Sequence, residues 1–431
     1  MLIYTTTNSK RLKYIAEVCF NTWNINNGKI TNNEDEFNSY TGLKINYSNQ
    51  KIANNELWIT PHGLLNSTEI TEQQIEVFKW NNLPVFFKTE GTIPFDFFAA
   101  AFYLITRYEE YLPHEKDFYG RYAHTNSLAF KHNFLYLPLI NLWLQEIEQC
   151  FVPFTIHHSP FIFKPTYDID IAYSYLHHNT IRNVYGFFRD FLKANFDAVN
   201  ERLRVYTGNQ KDPFDVYDWL NNIHSKYQLQ PIYFFLLAAQ RKGYDKNLSP
   251  TIKAIQLLLQ QHAQQYSVGI HPSWQSGDND ALLQNEVNTL STIIHHKVNY
   301  SRQHYIRMTL PKTYQTLIQQ GIDEEYSMGY GSINGFRASY TLPFKWYDLE
   351  KEATTTLTIH PFCYMEANSF FEQKLTIDEA AKELQSYHDI VKKVNGQLIT
   401  IFHNHFLTEQ SQWIAWRNMY ENFLDTNFAN K

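Results

Sequence analysis

Two carboxylates, Asp168 and Asp170, end an apolar run that begins at Phe161. If the run is a β-strand, side chains two residues apart leave the same face, so both carboxylates point the same way. Two carboxylates held this close resist ionising together unless a cation lies between them or one of them keeps its proton. The pair therefore predicts a metal site or a general base at the end of a buried strand.

Further residues that bind metals or transfer protons accompany later apolar runs. His271 follows the run Ser267–Ile270, and Arg302 and His304 stand just before and at the start of His304–Met308. The segment Gly329–Ala338 follows Tyr326–Met328, and His360 ends Thr356–His360. His403 and His405 follow Gln397–Phe402. A single histidine at a strand end is more often structural. Recurrence at one end of the predicted sheet favours a functional site.

The elements that would position these residues alternate between strand and helix after Pro160. The strand Phe163–Tyr167 leads the series, and Pro231–Leu237 is a second, fully apolar strand. The predicted helices are Thr180–Val205, Asp215–Tyr227, Pro250–Gln264, Ala281–Ile294, Lys312–Gln320, Ile377–Val394 and Gln410–Leu424. Near-continuous apolar strands between helices predict a parallel sheet covered by helices. The expected fold class is α/β, with a closed or nearly closed barrel of about seven strands.

Residues 1–155 read as a smaller, separate α/β domain, and residues 156–431 as the barrel. Strands are predicted at Leu2–Thr6 and Glu56–Thr60, and helices at Arg11–Thr22, Phe95–Leu112 and Leu139–Gln149. The charged segment Arg107–Pro113 is interpreted as a helix end with a solvated face. This domain has no recognisable catalytic pattern. It could pack on the barrel, cover one side of a cleft or bring a partner.

Composition limits the classes of function. The chain of 431 residues has a net charge of −6 and no Lys/Arg block, so neither nucleic acid nor an anionic membrane is the expected partner. No apolar run is long enough for membrane insertion, and the first residues do not resemble a secretory signal. Three scattered cysteines fit reduced thiols. The expected location is the cytoplasm.

The motifs at the strand ends resemble those of the polysaccharide deacetylase superfamily, the NodB-like carbohydrate esterases. Thr166-Tyr-Asp-Ile-Asp170 resembles the family's Thr-x-Asp-Asp motif with one residue inserted between the carboxylates. Gly269-Ile-His-Pro-Ser-Trp-Gln275 resembles the family's histidine motif, with Gln275 where the second histidine belongs. Ile399–His403 resembles the last motif, an apolar strand ending Leu-x-His. The whole chain also resembles an uncharacterised bacterial subgroup that carries an additional N-terminal α/β domain of unknown function.

The resemblance implies a metal-dependent hydrolase that removes an acetyl or other acyl group from an amino sugar or related carbohydrate. It implies Asp168 as general base, His403 as general acid and Arg302 as the brace of Asp168. Asp170 and His271 would hold a divalent metal ion, with zinc expected first. The expected substrate contacts are Trp274, Tyr330, Arg337 and His405. The expected partner is a carbohydrate or an acetylated small molecule.

The glutamine at position 275 leaves the third metal ligand open, because a neutral amide is a poor substitute for imidazole on zinc. His304 could supply the missing donor if its strand turns it inward, and His405 could do so from the face that carries His403. Three functions stay open at this point. They are an active hydrolase with a remodelled site, a catalytically degenerate protein that binds a glycan or other ligand without turnover, and an enzyme that works without a metal or in a different way.

Overall fold

The computed structural model describes residues 1–7, 9–151 and 154–429 and has a mixed α/β fold. A small parallel sheet of four strands lies in the N-terminal part, in the order β2-β1-β3-β4, and β5 pairs antiparallel with β6. The elements of this part are β1 Leu2–Thr5, α1 Lys10–Thr22, β2 Lys29–Thr31, α2 Glu34–Ser39, β3 Lys44–Tyr47, β4 Leu57–Ile59, β5 Phe78–Trp80, β6 Leu83–Val85, α3 Phe97–Ile105, α4 Leu128–Lys131 and α5 Leu139–Glu148.

The rest of the chain forms one nine-stranded sheet with helices packed against it. Its elements are β7 Ile162–Ile169, α6 Thr180–Leu192, α7 Phe196–Tyr206, α8 Tyr217–Tyr227, β8 Ile232–Leu236, α9 Lys253–Gln265, β9 Ser267–His271, α10 Asp280–Ile294, β10 Tyr300–Ser301, α11 Lys312–Gln319, β11 Glu324–Met328, β12 Phe344–Asp348, β13 Ala353–Pro361, β14 Tyr364–Met365, α12 Ile377–Lys393, β15 Gln397–His403 and α13 Ile414–Phe428.

The strand order in this sheet is β12-β13-β11-β10-β9-β8-β7-β15-β14, and every neighbouring pair is parallel except β12 with β13. The central strands β8 and β15 are buried along their whole length, as expected for a parallel sheet covered on both faces. The predicted α/β fold with a parallel sheet is confirmed. The expected count of about seven strands is not, since there are nine, and no pairing joins β12 to β14 in the part of the chain that the structure describes.

Three predicted elements differ in ways that have a local cause. The helix expected over Thr180–Val205 is two helices, because Ala194 has a φ of 52° and Asn195 caps the second helix. The strand expected at His304–Met308 is a 3-10 turn at His304–Ile306 that follows the short strand β10. The helix expected to reach Leu112 ends at Ile105, since Arg107 takes a left-handed conformation with a φ of 56°.

The N-terminal part packs on the antiparallel edge of the large sheet. The ring of Tyr14, on α1, lies 4.9 Å from that of Tyr347 on β12, and its hydroxyl donates to the carbonyl of Lys345 at 2.9 Å. Phe102, on α3, contacts the same Tyr347 ring at 5.3 Å. Side chains of both parts therefore share one hydrophobic core, which fixes the position of the N-terminal part relative to the strand ends.

A buried cluster of ions also joins the two parts, at the segment that was interpreted as solvated. Arg107 and Glu110 are 1% and 3% exposed, so that interpretation of Arg107–Pro113 is wrong. Glu110 accepts from Arg107 at 2.7 Å and from Arg337, in the loop after β11, at 2.5 Å. Burial alone would raise the pKa of Glu110, but the two guanidinium groups lower it to about 2.

Gly335 allows this loop to approach the N-terminal part. Its φ is +146°, and a Cβ at this position would lie 1.9 Å from the Leu135 side chain. The amide of the next residue, Phe336, donates to the carbonyl of Leu135 at 2.8 Å. A larger residue than glycine would separate the two backbones and the ion cluster beside them.

Among residues 1–7, 9–151 and 154–429, none of the helices combines the length and the apolar character that crossing a bilayer requires.

We expect Glu110→Gln to lower the free energy of unfolding by about 3–5 kcal/mol, because two buried guanidinium groups lose their shared carboxylate. The pKa of Glu110 is depressed in the folded state, so its contribution is present above its ordinary pKa of 4.5 and is lost as the pH falls toward 2. Urea titration of both proteins at neutral pH measures the difference. The exposed Glu76→Gln is the matched control, and equal midpoints for the two variants would contradict the assignment.

Candidate active site

Asp168 and Asp170 lie at the carboxyl end of β7, where the central strands of the large sheet end together. Asp168 pairs in register with His403 on β15 and with Phe234 on β8. Asp168 is 2% exposed, and the side chain of Asp170, one residue beyond the strand, is 23% exposed. Both carboxylates line one cavity of about 570 Å³, as expected for residues that share a face.

Arg302 fixes the orientation of Asp168. Its Nη1 donates to Asp168 Oδ1 at 2.9 Å and to Thr166 Oγ1 at 2.7 Å, and its Nε donates to the carbonyl of Tyr326 at 3.0 Å. The guanidinium is fully buried and lies over the Phe234 ring at 4.4 Å. One oxygen of Asp168 is thereby neutralised, while the other, Oδ2, lies 3.7 Å from His271 Nε2.

Asp170, His271 and His304 form a cluster whose ligand atoms all lie within 4.8 Å of one another. His271 Nε2 is 3.4 Å from Asp170 Oδ1, and His304 Nε2 is 3.5 Å from Asp170 Oδ2. His271 is the last residue of β9, and His304 begins the 3-10 turn after β10. Two imidazole nitrogens and a carboxylate converging on one point are a donor set that suits a divalent transition metal.

Both rings of this cluster are oriented by hydrogen bonds at their other nitrogen. His271 Nδ1 lies 2.5 Å from the carbonyl of Arg302, and His304 Nδ1 lies 2.8 Å from Asp245 Oδ1. Such outer partners fix the tautomer and rotation of metal-binding histidines. Asp170 Oδ1 is buried and has no hydrogen-bond donor among the described residues. A buried carboxylate oxygen without a hydrogen-bond donor, next to two histidine rings of fixed orientation, is the arrangement expected around a bound cation.

The charges around the cluster perturb its ionisation. Burial lowers the pKa of His304, but Asp170 and Asp245 outweigh burial and raise it to about 9. Burial raises the pKa of Asp170, and His304, His271 and His403 together bring it well below its ordinary value. Without a cation the cluster therefore holds a proton on His304 at neutral pH, and a cation must displace that proton.

His403 faces the same cavity from the end of β15. Its Nδ1 lies 2.7 Å from Glu366 Oε1, and its Nε2 lies 3.9 Å from Asp170 Oδ2. Burial lowers the pKa of His403, but Glu366, Asp170 and Asp168 raise it to about 10, so the ring is protonated at neutral pH. His405 is different, because burial and the charge of His403 lower its pKa to about 3 and keep that ring neutral.

The N-terminal part supplies one wall of the cavity through Tyr119 and Arg121. The Tyr119 ring lies 5.0 Å from that of Tyr305 and 4.7 Å from the Arg121 guanidinium. Arg121 Nη1 donates to the carbonyls of Tyr305 at 3.1 Å and Gly331 at 2.8 Å. Of the roles left open for this part of the chain, its contacts match both packing on the large sheet and covering one side of the cleft.

Not every predicted site residue reaches the cavity. Asp168, Asp170, His271, His304, His403 and His405 line it, and Arg302 contacts it through Asp168. The residues that line it do not include Trp274, Tyr330 or Arg337. Trp274 stacks on Arg307 at 4.1 Å, and Tyr330 and Arg337 belong to the buried ion cluster with Arg107 and Glu110. Gln275 is not one of the clustered ligands: its Nε2 donates to the carbonyl of Gln240 at 2.8 Å and to Asp245 Oδ2 at 3.2 Å, the carboxylate that orients His304.

Sequence reasoning missed several residues of the site, among them Glu366, Asp245, Tyr119 and Arg121. Glu366 follows the two-residue strand β14, which is too short to predict, and Asp245 lies in the loop after β8. The sequence signal for Asp245 is its position in the chain, because it follows β8, which ends beside Asp168. Tyr119 and Arg121 precede the strands of the large sheet in sequence, and no local pattern connects them to the strand ends.

Comparisons with known proteins match different parts of the chain. The family described as "Family of unknown function (DUF7033)" matches residues 1–154. No curated protein matches the chain.

Similar solved structures cover the larger part of the chain at low identity. A candidate polysaccharide deacetylase from Mycobacterium smegmatis is 10% identical over 64% of this chain and 88% of that one, with a TM-score of 0.39. Puue allantoinase is 9% identical over 63% and 92%, with a TM-score of 0.39. A polysaccharide deacetylase from Bacillus cereus is 10% identical over 62% and 88%, with a TM-score of 0.31.

We expect Glu366→Gln to lower the pKa of His403 from about 10 toward its ordinary value of 6.5, because the carboxylate in contact with Nδ1 contributes most to the elevation. A titration of the histidine rings by NMR, on protein treated with a chelator, measures the change. Asp245→Asn is the matched control, since it removes the carboxylate partner of His304 and leaves Glu366 in place. If the pKa of His403 stays near 10 in Glu366→Gln, Glu366 is not the main cause of its elevation.

Proposed function

We propose that the protein is a metal-dependent hydrolase that removes an acyl group, in the first instance acetyl, from an amino sugar or related carbohydrate. The observation that carries the proposal is the convergence of an arginine-braced carboxylate, an Asp/His/His ligand cluster and a protonated histidine in one cavity. A hydrolase of amides or esters needs a base, an electrophile and an acid around one carbonyl group.

Asp168 is the proposed general base. Its Oδ1 is held by Arg302, so its Oδ2 is the oxygen free to accept a proton from the attacking water. The contact to Arg302 keeps the carboxylate in one orientation, which is the geometric requirement for proton transfer. Arg302 itself does not reach the cavity and acts by positioning Asp168.

His403 is the proposed general acid. Its Nε2 faces the cavity, and Glu366 at Nδ1 holds the ring in one orientation and stabilises its protonated form. A ring protonated at neutral pH can donate to the leaving amine as the bond to the acyl carbon breaks. Its pKa of about 10 refers to the cluster without a cation, and a bound cation would lower it toward the working pH by repulsion.

Asp170, His271 and His304 are the proposed metal ligands, and zinc is the first candidate because it favours two imidazoles and a carboxylate in an open site. Bound there, a divalent ion would polarise the scissile carbonyl and make a nearby water more acidic. In the family motif the second metal-binding histidine falls at the position of Gln275, and in this proposal His304 supplies that ligand instead. Its contact with Asp245 supports this role.

The cavity supports a carbohydrate as the substrate class. Its volume of about 570 Å³ is in the range of small-molecule sites, and aromatic side chains are part of its lining. The rings of Tyr119 and Tyr305 lie 5.0 Å apart, and those of Phe371 and Phe406 lie 5.8 Å apart. Flat aromatic surfaces beside polar groups suit a ring that has one apolar face and several hydroxyls.

We expect the purified chain to take up about one zinc or cobalt ion, and Asp170→Ala, His271→Ala or His304→Ala to abolish the uptake. Elemental analysis after loading and gel filtration is the measurement. Loading should weaken as the pH falls below about 9, since a proton on His304 competes with the ion. The exposed His296→Ala is the control that keeps the metal, and a chain that takes up none of these ions after loading would contradict the metal centre.

We expect Asp168→Asn to lower the rate of acyl release by about 10²–10⁴-fold, because the amide cannot accept the proton of the attacking water. The measurement is acetate release from a panel of N-acetylated amino sugars, with metal content and thermal unfolding determined on the same sample, because the loss of a partner of the buried Arg302 also destabilises the fold. Asp389→Asn on the exposed surface of α12 is the matched control. A wild-type chain that holds its metal and binds a glycan saturably, yet releases no acetate, would instead favour the binding protein without turnover.

A further inference from the structure

Helix α6 presents an apolar stripe to solvent. Six large apolar side chains recur at the spacing of one helix face, and each is 48–82% exposed: Ile181, Val184, Tyr185, Phe188, Phe191 and Leu192. The stripe continues on α7, where Phe196, Leu203 and Tyr206 are 47–54% exposed. An apolar surface of this extent on a soluble domain marks an interaction site.

The orientation of this helix is the reverse of the usual one for a surface helix, which buries its apolar face. The face of α6 that points inward carries Gly186 and Asp190. Asp190 pairs with Arg202 of α7 at 2.9 Å. Gly186 leaves space for the same guanidinium, because a Cβ there would lie 2.7 Å from Arg202 Nη2. A buried ion pair therefore holds the two helices together and turns the apolar stripe outward.

Basic side chains flank the stripe along one edge. At 3.6 residues per turn, Arg182, Arg189 and Lys193 fall within about 40° of one another, directly beside the apolar arc. Asp190, the one acidic residue of α6, faces inward and also pairs with Arg189 at 2.6 Å. Arg182 and Lys193 are therefore the cations of this edge that have no ion pair among the described residues. Residues 179–209 contain five Lys/Arg and three Asp/Glu, whereas the whole chain contains 37 and 43. The hairpin formed by α6 and α7, residues 179–209, therefore has a positive formal charge, whereas the net charge of the whole chain is −6.

These features suit a lipid surface better than a second copy of the chain. A helix that lies in the membrane interface combines a large apolar face rich in Phe and Leu with Lys/Arg at its edge. The basic edge complements anionic headgroups. A second copy would bring the same cationic edge to the contact, and most of its own surface acids lie elsewhere on the chain.

The hairpin of α6 and α7 is attached to the two chain segments that follow the cavity residues Asp170 and His405. Glu201 on α7 accepts from the hydroxyl of Tyr175 at 2.7 Å and from Gln410 at 2.8 Å. Tyr175 lies in the loop that carries Asp170, and Gln410 lies in the segment after His405. Glu201 thus connects the hairpin to the two loops that begin at cavity residues, and a surface bound to the apolar stripe would be linked to the candidate active site through them.

We propose that this hairpin docks the protein on an anionic membrane surface and that the substrate is an acylated amino sugar carried on a lipid anchor. The second half of the proposal rests on the proposed function; the docking does not. The expectation from the sequence was no membrane partner, because no Lys/Arg block stands out. The basic residues are spaced along a helix, so only the fold brings them into one row.

Flotation of the purified full-length chain with lipid vesicles tests the docking. We expect the protein to float with vesicles made of equal parts phosphatidylcholine and phosphatidylglycerol, and less with phosphatidylcholine alone. Phe188→Ser combined with Leu192→Ser should weaken binding at least about tenfold, because two apolar anchors are lost. Arg182→Gln combined with Lys193→Gln should weaken binding to the anionic vesicles alone.

A control changes two exposed apolar residues elsewhere on the surface. Ile162→Ser combined with Leu257→Ser should leave vesicle binding unchanged, since these residues are 48% and 45% exposed outside the hairpin. No flotation with either vesicle overturns the proposal. So does light scattering that shows a dimer which Phe188→Ser with Leu192→Ser dissociates, in a protein that does not float, because the stripe would then bind a second copy.

Activity distinguishes this proposal from the proposed function. With a lipid-anchored N-acetyl amino sugar in the anionic vesicles, Phe188→Ser with Leu192→Ser should lower kcat/KM about tenfold, while acetate release from a water-soluble analogue stays unchanged. A chain that floats and releases acetate from neither substrate refutes the hydrolase and leaves the docking intact. A chain that releases acetate from the soluble analogue but does not float refutes the docking alone.

Discussion

The contacts of Arg302 are the constraint on which the site depends. Its side chain binds Asp168 and Thr166 on β7 and the carbonyl of Tyr326 on β11, and its amide donates to Ile270 on β9 at 3.1 Å. Its own carbonyl lies 2.5 Å from Nδ1 of His271. One residue after β10 thus aligns the ends of three other strands and orients both a proposed base and a proposed ligand. A cation buried this deeply is stable only with its carboxylate, so the pair is a structural necessity whatever the chemistry is.

Much of this arrangement could be predicted from the sequence, because parallel strands bring their carboxyl ends to one edge. Asp168, Asp170, His271 and His403 each end or follow a strongly apolar run, and those runs are strands in the structure. His304 lies in the cluster with Asp170 and His271, although its segment is a turn and not the predicted strand. The turn still brings the ring to Asp170, because the short strand β10 ends just before it.

The residues that could not be predicted are those whose position depends on packing between distant segments. Trp274, Tyr330 and Arg337 follow strands, as the residues that line the cavity do. Arg337 and Tyr330 instead contact Glu110 and Arg107, which lie in the N-terminal part of the chain. The amphipathic spacing in α6 is clear in the sequence, but periodicity does not tell which face is buried. The pairing of Asp190 with Arg202 decides that, and the two residues belong to different helices.

The balance of charge explains why the cluster suits a cation. Asp170 and Asp245 flank His304, and Asp170 and Glu366 flank His403, so each ring lies between two carboxylates in a buried site. In the absence of a cation, protons on the two rings supply the compensating charge, which is why the pKa values of His304 and His403 rise to about 9 and about 10. A divalent ion bound to Asp170 would supply that charge instead and release the proton of His304. His403 keeps its own carboxylate partner, Glu366, and would retain a proton that it can give away. The carboxylates around the two rings would therefore favour a metal ion at His304 and a proton donor at His403.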